Sequence, residues 1–244
     1  MTLSATRIRA VLRKELREFR RNRFIISTMV ILPIIFIAVP IADLFRIPAS
    51  APPALVRNGV GATLLLLLVI PVVVPATLAA YSVIGERDQG TLEPLLATPI
   101  RREELLLGKA LAAIIPSVTI AYVIFAVVFL SVRAGASAPV MAAVFQPSQI
   151  LAEVLFAPLL AAWSIWIGMA ISARSSDVRV AQQLSTLASL PALGVTALIQ
   201  FQVIQPSVVL AVVLAAVLVA VDATAWRFVS ALFDRERLIT GIAS

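Results

Sequence analysis

The sequence predicts an all-α integral membrane protein with six membrane-spanning helices and both termini in the cytoplasm. Of its 244 residues, 61% are hydrophobic and only 14% are charged, whereas a soluble domain carries about 25% charged residues. The mean hydropathy is +1.02, and several apolar runs reach the ~18 residues that indicate a membrane helix. An excess of basic residues on one side of these runs sets the orientation. We therefore treat residues 1–244 as a single transmembrane domain.

Six apolar segments are separated by polar or Pro-rich breaks, and each is near the ~20 residues needed to cross ~30 Å of hydrocarbon. We place the spans at about 24–42, 59–84, 110–132, 150–172, 180–204 and 207–226. The first run is too long for the core of a signal peptide, and no convincing small-residue cleavage site follows it. We therefore expect a retained span, with no targeting segment removed.

The basic residues determine which side of the membrane each loop occupies, because cytoplasmic loops carry an excess of Lys and Arg. With both termini inside, 17 of the 20 basic residues lie on the cytoplasmic side and three outside. The charged segment 85–109 and the tail 227–244 are then cytoplasmic. The net charge of +7 therefore reflects orientation in a cell membrane, and we expect no nucleic-acid partner.

Residues 6–23 form a basic amphipathic helix before the first span. Apolar residues recur at steps of three and four, which places them on one face: Ile8, Val11, Leu12, Leu16 and Phe19. Basic residues occupy much of the remaining surface: Arg7, Arg13, Lys14, Arg17, Arg20 and Arg21. Such a helix lies at the membrane interface against anionic headgroups. It either only anchors the first span or also contacts a cytoplasmic partner.

The chain contains neither cysteine nor histidine. This excludes disulfides, thiol catalysis, Ser–His hydrolysis, HExxH metalloprotease chemistry and ordinary haem ligation. Asp43 and Asp222 lie near opposite ends of their helices, so they cannot form the acid pair of an intramembrane protease. No GxxxxGK[ST] motif occurs, so the chain has no nucleotide site of this kind. We expect no catalytic residue, no metal site and no cofactor in this chain.

The segment 85–109 contrasts with the apolar remainder, since residues 86–109 carry five acids and four bases. Thr91 is a suitable N-cap for a short helix, and Thr98–Pro99 ends it. Three leucines form the apolar face of this helix: Leu92, Leu95 and Leu96. A short helix joined to two spans suits the transfer of movement from a cytoplasmic partner. The alternative is a solvated hairpin without a partner.

The same residues carry a family resemblance. The stretch GERDQGTLEPLLATPIRREELLLGK closely resembles the signature loop between the second and third spans of type-2 ABC exporter permeases. The positions that match, in order, are Gly85, Glu86, Arg87, Gly90 to Glu93, Thr98–Pro99, Arg101 to Glu104 and Leu107 to Lys109. The basic interfacial helix, the six spans and the LFDRERLITG tail are similar to the same family.

This resemblance implies the permease subunit of an ATP-driven exporter. It would pair with a second permease subunit, identical or homologous, and with two separate ATPase subunits that bind ATP and Mg. In the family the short helix is a coupling helix that docks on the ATPase. The residues that the resemblance assigns to this contact are Glu86, Arg87, Gly90, Thr91, Leu92, Glu93, Leu95, Leu96 and Pro99.

The family places the second and fifth spans around a pathway at the dimer axis. In the fifth span, polar residues fall at steps of four, three, seven and four, and we call this set the polar stripe: Gln182, Thr186, Ser189, Thr196 and Gln200. In the second span the polar side chains are Thr63, Thr77, Tyr81 and Ser82, and Pro71 and Pro75 are expected to kink the helix. The stripe either lines the pathway or bonds neighbouring helices of one subunit. A mildly polar wall suits an amphiphilic or large apolar substrate.

Two features fit the pattern less directly. Family members often carry a re-entrant helical pair between the fifth and sixth spans, but residues 180–226 leave little room for one unless the fifth span breaks near Pro191. Glu153 and Asp222 are ionisable residues inside spans, and we expect both to reach an interface by snorkelling. Asp222 could instead pair with a base of the interfacial helix.

The alternative functions are a self-contained secondary transporter or channel, which would show inverted repeats or charged broken helices, and a membrane enzyme.

Overall fold

The computed structural model describes residues 3–88, 100–175, 177–201, 203–205 and 207–232. Within these ranges the chain forms eight α-helices and no β-strand. Their bounds are α1 Ala5–Phe19, α2 Arg23–Phe45, α3 Pro53–Asp88, α4 Arg102–Gly135, α5 Ala138–Val144, α6 Pro147–Arg174, α7 Val178–Gln200 and α8 Val208–Leu232.

The structure confirms an all-α membrane protein. Among the described residues, five helices are long and apolar enough to cross a membrane, namely α2, α3, α4, α6 and α8. Helix α7 has 23 residues, but Arg179, Gln182 and Gln183 make its first turns less apolar. The number of spans and the side on which the termini lie remain predictions.

Helices α3 and α6 form the centre of the bundle and pack closely along small residues of α6. Ser164 Oγ donates a 2.6 Å hydrogen bond to the Val72 carbonyl of α3, and Ser172 makes the equivalent bond two turns later at 2.9 Å. Between them, a Cβ on Gly168 would collide with the Ala79 side chain. Small residues spaced by four let two membrane helices approach closely, so this face sets the α3–α6 contact.

Helices α2 and α8 lie at the edge of the bundle. Helix α2 packs on α3 and α4, and α8 packs mainly on α6. Their outward side chains are large and apolar, as at Ile34, which is 59% exposed, and Val209, which is 72% exposed. Exposed apolar surface on this scale faces lipid in an integral membrane protein.

Helix α5 lies in the connection between the third and fourth predicted spans and was not predicted from the sequence. Pro139 is in its first turn. Backbone N–H groups in a first turn have no hydrogen-bond acceptor within the helix, so proline, which lacks this group, is tolerated there. Val140 and Val144 are buried where α5 packs on α3 and α4. This short helix therefore covers one end of the bundle.

The connection between α7 and α8 is short. Helix α7 runs without interruption through Pro191 to Gln200, and α8 begins at Val208. The predicted break near Pro191 is therefore not present, and the seven intervening residues leave no room for a re-entrant helical pair. In this respect the chain departs from many members of the family that it resembles.

We expect the α2–α3 and α4–α5 connections to lie on the outer side of the membrane, because 17 of 20 basic residues lie on the opposite side of the predicted spans. Single cysteines in place of Ser50 or Ala136 should react with a membrane-impermeant maleimide in intact cells, whereas one at Ser175 should react only after lysis. The cysteine-free chain provides the unlabelled control. Labelling of position 175 in intact cells would contradict the orientation.

Candidate functional site

Helix α1 docks directly on the beginning of α4, which forms the end of the segment 85–109. Val11 and Phe19 are buried on its inner face. A Cβ on Gly108 would lie 2.6 Å from Val11 Cβ and 3.2 Å from the Ile8 carbonyl oxygen. Only glycine leaves room for α1 at this point, which gives a physical reason for Gly108 in the Leu-Gly-Lys sequence.

A buried ion pair joins the same two helices. Glu15 and Lys109 are each 3% exposed, and Lys109 Nζ donates a 2.9 Å hydrogen bond to Glu15 Oε1. Lys14 Nζ lies 3.3 Å from the same oxygen. Burial raises the pKa of Glu15, but the Lys109 and Lys14 ammonium groups outweigh it and hold the pKa below the ordinary value of 4.5. Glu15 is therefore a carboxylate at neutral pH.

Glu104 makes a second connection one turn earlier in α4. Its Oε1 accepts a 2.8 Å hydrogen bond from the Ser4 backbone N–H, directly before α1. Its Oε2 accepts from the Arg101 backbone N–H at 3.2 Å and lies 3.3 Å from the Arg7 guanidinium. One buried carboxylate thus caps the first turns of both helices.

We call Glu15, Glu104, Gly108 and Lys109 the α1–α4 clamp. Glu104, Gly108 and Lys109 belong to the stretch that resembles the family signature, but no contact was predicted for them, and Glu15 was not predicted as a site residue. A signal was available, because Val11, Glu15 and Phe19 follow each other at steps of four on one face. A carboxylate within the apolar face of a basic helix indicates a buried basic partner.

The residues predicted to contact an ATPase lie mostly beyond the described part of the chain. Glu86 and Arg87 belong to the last turn of α3, but their side chains are outside the described set. The remaining residues of that prediction fall within 89–99, which is not described: Gly90, Thr91, Leu92, Glu93, Leu95, Leu96 and Pro99. Their role remains a prediction.

The polar stripe of α7 faces α3 and α6 of the same chain. Gln182 Nε2 donates a 2.8 Å hydrogen bond to Thr77 Oγ1 of α3. Ser189 is 0% exposed and donates to the Ser185 carbonyl at 2.9 Å. Thr186 bonds the Gln182 carbonyl at 3.0 Å, and the buried Thr196 donates to the backbone of its own helix. In this conformation these contacts fit hydrogen bonding within one subunit, and a pathway role for the stripe remains a prediction.

Gln200, the last residue of the stripe, lies at the opposite end of α7 from Gln182 and is hydrogen-bonded to Glu153 of α6. Glu153 is fully buried and accepts a 3.1 Å hydrogen bond from Gln200 Nε2. It does not snorkel to an interface as expected, because α6 turns it toward the end of α7. Asp222 is also buried, and neither carboxylate oxygen has a hydrogen-bond partner among the described residues, so its predicted pairing with a base of α1 is not observed there.

The opposite face of α7 is apolar and exposed. Leu187 is 58% exposed, and Leu184, Leu190 and Leu198 are exposed beside it. Within the described residues, no three Asp or Glu side chains come together as a metal site would require. Among the described residues, the buried charged contacts are concentrated at the α1–α4 clamp.

A known protein-family model matches most of the chain. The family model described as "ABC-2 family transporter protein" matches residues 9–190, well over half of the 244 residues. The match begins within α1 and continues to the middle of α7, so it includes the clamp and the segment 85–109. The chain has no significant match among curated proteins. The chain belongs to the ABC-2 transporter family and is a permease, a multi-pass transport component of the cell membrane.

Proposed function

We propose that this chain is the transmembrane subunit of an exporter, working as a dimer with a second permease subunit and driven by two separate ATPase subunits. The ATPases would act through the segment 85–109, where the short coupling helix is expected. The observation that carries the proposal is the position of this segment between two helices that continue from it into the centre of the bundle.

Both bordering helices are longer than a membrane requires. Helix α3 has 36 residues and α4 has 34, which at ~1.5 Å per residue gives lengths of ~54 Å and ~51 Å. The hydrocarbon layer is ~30 Å thick. The segment 85–109 joins the end of α3 to the beginning of α4. The extra length of both helices therefore supports the proposal that the segment is held beyond the membrane surface, where an ATPase can bind it.

The α1–α4 clamp supports the transfer of movement. It fixes the first two turns of α4, which form the end of the segment 85–109, to α1 through a buried ion pair and a shared carboxylate. Movement of the segment would therefore shift α1 and α4 as a unit. Helix α3 packs on α4, α6 and α7, so the same movement would reach the bundle core.

The surface chemistry favours an amphiphilic or apolar substrate. Glu153 and Asp222 are the ionisable residues within the predicted spans, and both are buried. The polar stripe is turned inward, and the outward face of α7 is built of leucine. A sugar polymer or an ion would find few polar partners on such a surface, whereas a lipid-like or drug-like molecule would not need them.

We expect the double substitution Leu95→Ala/Leu96→Ala to uncouple transport from ATP hydrolysis. Removing two docking side chains takes away several kcal/mol of apolar burial at the ATPase contact. The transport rate of the reconstituted complex should fall at least about tenfold, with a normal amount of permease in the membrane. The measurement is ATP-driven substrate uptake into inverted vesicles beside phosphate release.

The matched control is Val123→Ala/Leu130→Ala, which truncates two exposed apolar residues in the later turns of α4, far from the segment. It should leave coupling intact. If the Leu95/Leu96 variant stays coupled, the segment is not the main ATPase contact. If no ATPase subunit copurifies with the wild-type chain, the alternative of a self-contained transporter gains support instead.

A further inference from the structure

A large cavity lies between α6, α7 and α8, away from the polar stripe. Its volume is about 680 Å³, within the ~300–1,000 Å³ typical of ligand sites. Trp163, Trp166 and Ile167 of α6 form one wall, and Phe228 of α8 forms the other. Leu184 of α7 borders it. The body of any occupant must therefore be apolar.

One end of the cavity is basic. Arg174, the last residue of α6, lines it and is the only charged lining residue among those described. Its side chain is exposed and makes no ion pair with any residue that the structure describes. Arg179 in the first turn of α7 and Arg227 in the last two turns of α8 are also exposed, and the predicted topology puts both on the same side of the membrane as Arg174. The nearby Asp177 accepts hydrogen bonds from the first backbone N–H groups of α7, so its carboxylate is used as a cap.

We propose that this cavity binds one acidic phospholipid, with its phosphate at Arg174 and an acyl chain between the tryptophans and Phe228. A guanidinium offers a planar pair of N–H donors that matches phosphate oxygens. Basic clusters at the cytoplasmic ends of membrane helices select acidic lipids, and the basic residues place this end of α6 in the cytoplasm. The site is separate from the predicted pathway, since the stripe faces α3 and α6.

The chain carries its own reporter for this site. It has three tryptophans; Trp163 and Trp166 line the cavity, and the Trp226 ring centroid lies 5.1 Å from that of Trp166. The intrinsic tryptophan fluorescence of the full-length chain therefore comes from two residues that line the cavity and one that packs on a lining residue. Bromine atoms on a bound acyl chain quench such fluorescence at contact.

The test reconstitutes the full-length chain in phosphatidylcholine vesicles that contain increasing fractions of dibrominated phosphatidylglycerol, or of dibrominated phosphatidylcholine. We expect phosphatidylglycerol to bind about fivefold more tightly than phosphatidylcholine, the preference that one arginine confers. Arg174→Ala should bring the ratio close to one. Arg13→Ala, which removes an exposed base of α1 on the same predicted side, should keep the fivefold preference and so control for net charge.

A second variant tests the body of the site. Ala170→Phe fills the cavity at a half-buried lining position and should weaken quenching by both brominated lipids, with the elution volume of the purified chain unchanged. Equal quenching by the two lipids in the wild-type chain would overturn the proposal in favour of unselective lipid. Absence of quenching by either lipid would overturn it in favour of a site covered by a second copy of the chain. Unchanged selectivity in Arg174→Ala would overturn the assignment of the lipid phosphate to Arg174.

Discussion

Replacing Glu15 with leucine is expected to release α1 from α4 while the membrane helices stay folded. The substitution leaves the Lys109 ammonium, which is 3% exposed, without the carboxylate that now lies 2.9 Å away. Breaking a buried pair from one side costs about 3–5 kcal/mol. Because α1 contacts the rest of the chain mainly through α4, this free-energy cost destabilises the docking of α1 and not the packing of the membrane helices.

A cysteine in place of Val11, which is 4% exposed, measures that docking in the cysteine-free chain. Its labelling by a maleimide should accelerate about 100-fold in the Glu15→Leu variant, since labelling follows local opening. The control is Glu18→Leu, because Glu18 pairs with Lys14 at the surface, where a pair contributes at most about 1 kcal/mol.

The double variant Glu15→Leu/Lys109→Met should restore slow labelling, because replacing both partners by apolar residues of similar size is nearly neutral or stabilising. Fast labelling in the double variant would show that α1 is not held by this pair. In the wild-type chain, the lowered pKa of Glu15 makes its contribution complete above about pH 4.5 and lost as the pH falls through the folded-state pKa. The labelling rate relative to that of the Glu15→Leu variant at the same pH, which cancels the falling thiolate fraction, should therefore rise toward one only in acid below that value.

Replacing Ser189 with tryptophan is expected to lower the amount of folded permease severely. Ser189 is 0% exposed on the side of α7 that packs against α3 and α6, and Ser185 one turn earlier is also fully buried. An indole cannot enter this contact unless the helices separate. Overpacking by single methylene groups already costs about 1–3 kcal/mol. The measurement is the yield and melting temperature of the detergent-solubilised chain.

Leu187→Trp is the matched control, because Leu187 is 58% exposed on the outer face of the same helix. It should leave yield and melting temperature close to the wild type. If α7 lies at a two-fold axis, a cysteine at Leu187 should crosslink between subunits more readily than one at Ser189. A stable Ser189→Trp variant that blocks transport but keeps basal ATPase activity would instead establish the polar stripe as a pathway wall.

The sequence by itself determined the class of protein, the approximate positions of the helices and the family. These properties depend on local features, namely apolar runs long enough for a membrane, charge bias and a signature of about 24 residues around segment 85–109. The amphipathic helix α1 is of the same kind, because the 3.6-residue period places Val11 and Phe19 on one face whatever the rest of the chain does. Helix α5 was missed, since its seven residues are too few to carry such a pattern.

Only the tertiary structure decided which partner each polar face meets. Periodicity shows that Gln182 and Ser189 share a face, but a pathway and a neighbouring helix would both produce the same stripe. The pairs Glu15–Lys109 and Glu153–Gln200 are 94 and 47 residues apart in the chain, and Trp166 of α6 meets Trp226 of α8. These contacts depend on how closely helices pack, which is set at points such as Gly108 and Gly168 by the absence of a side chain.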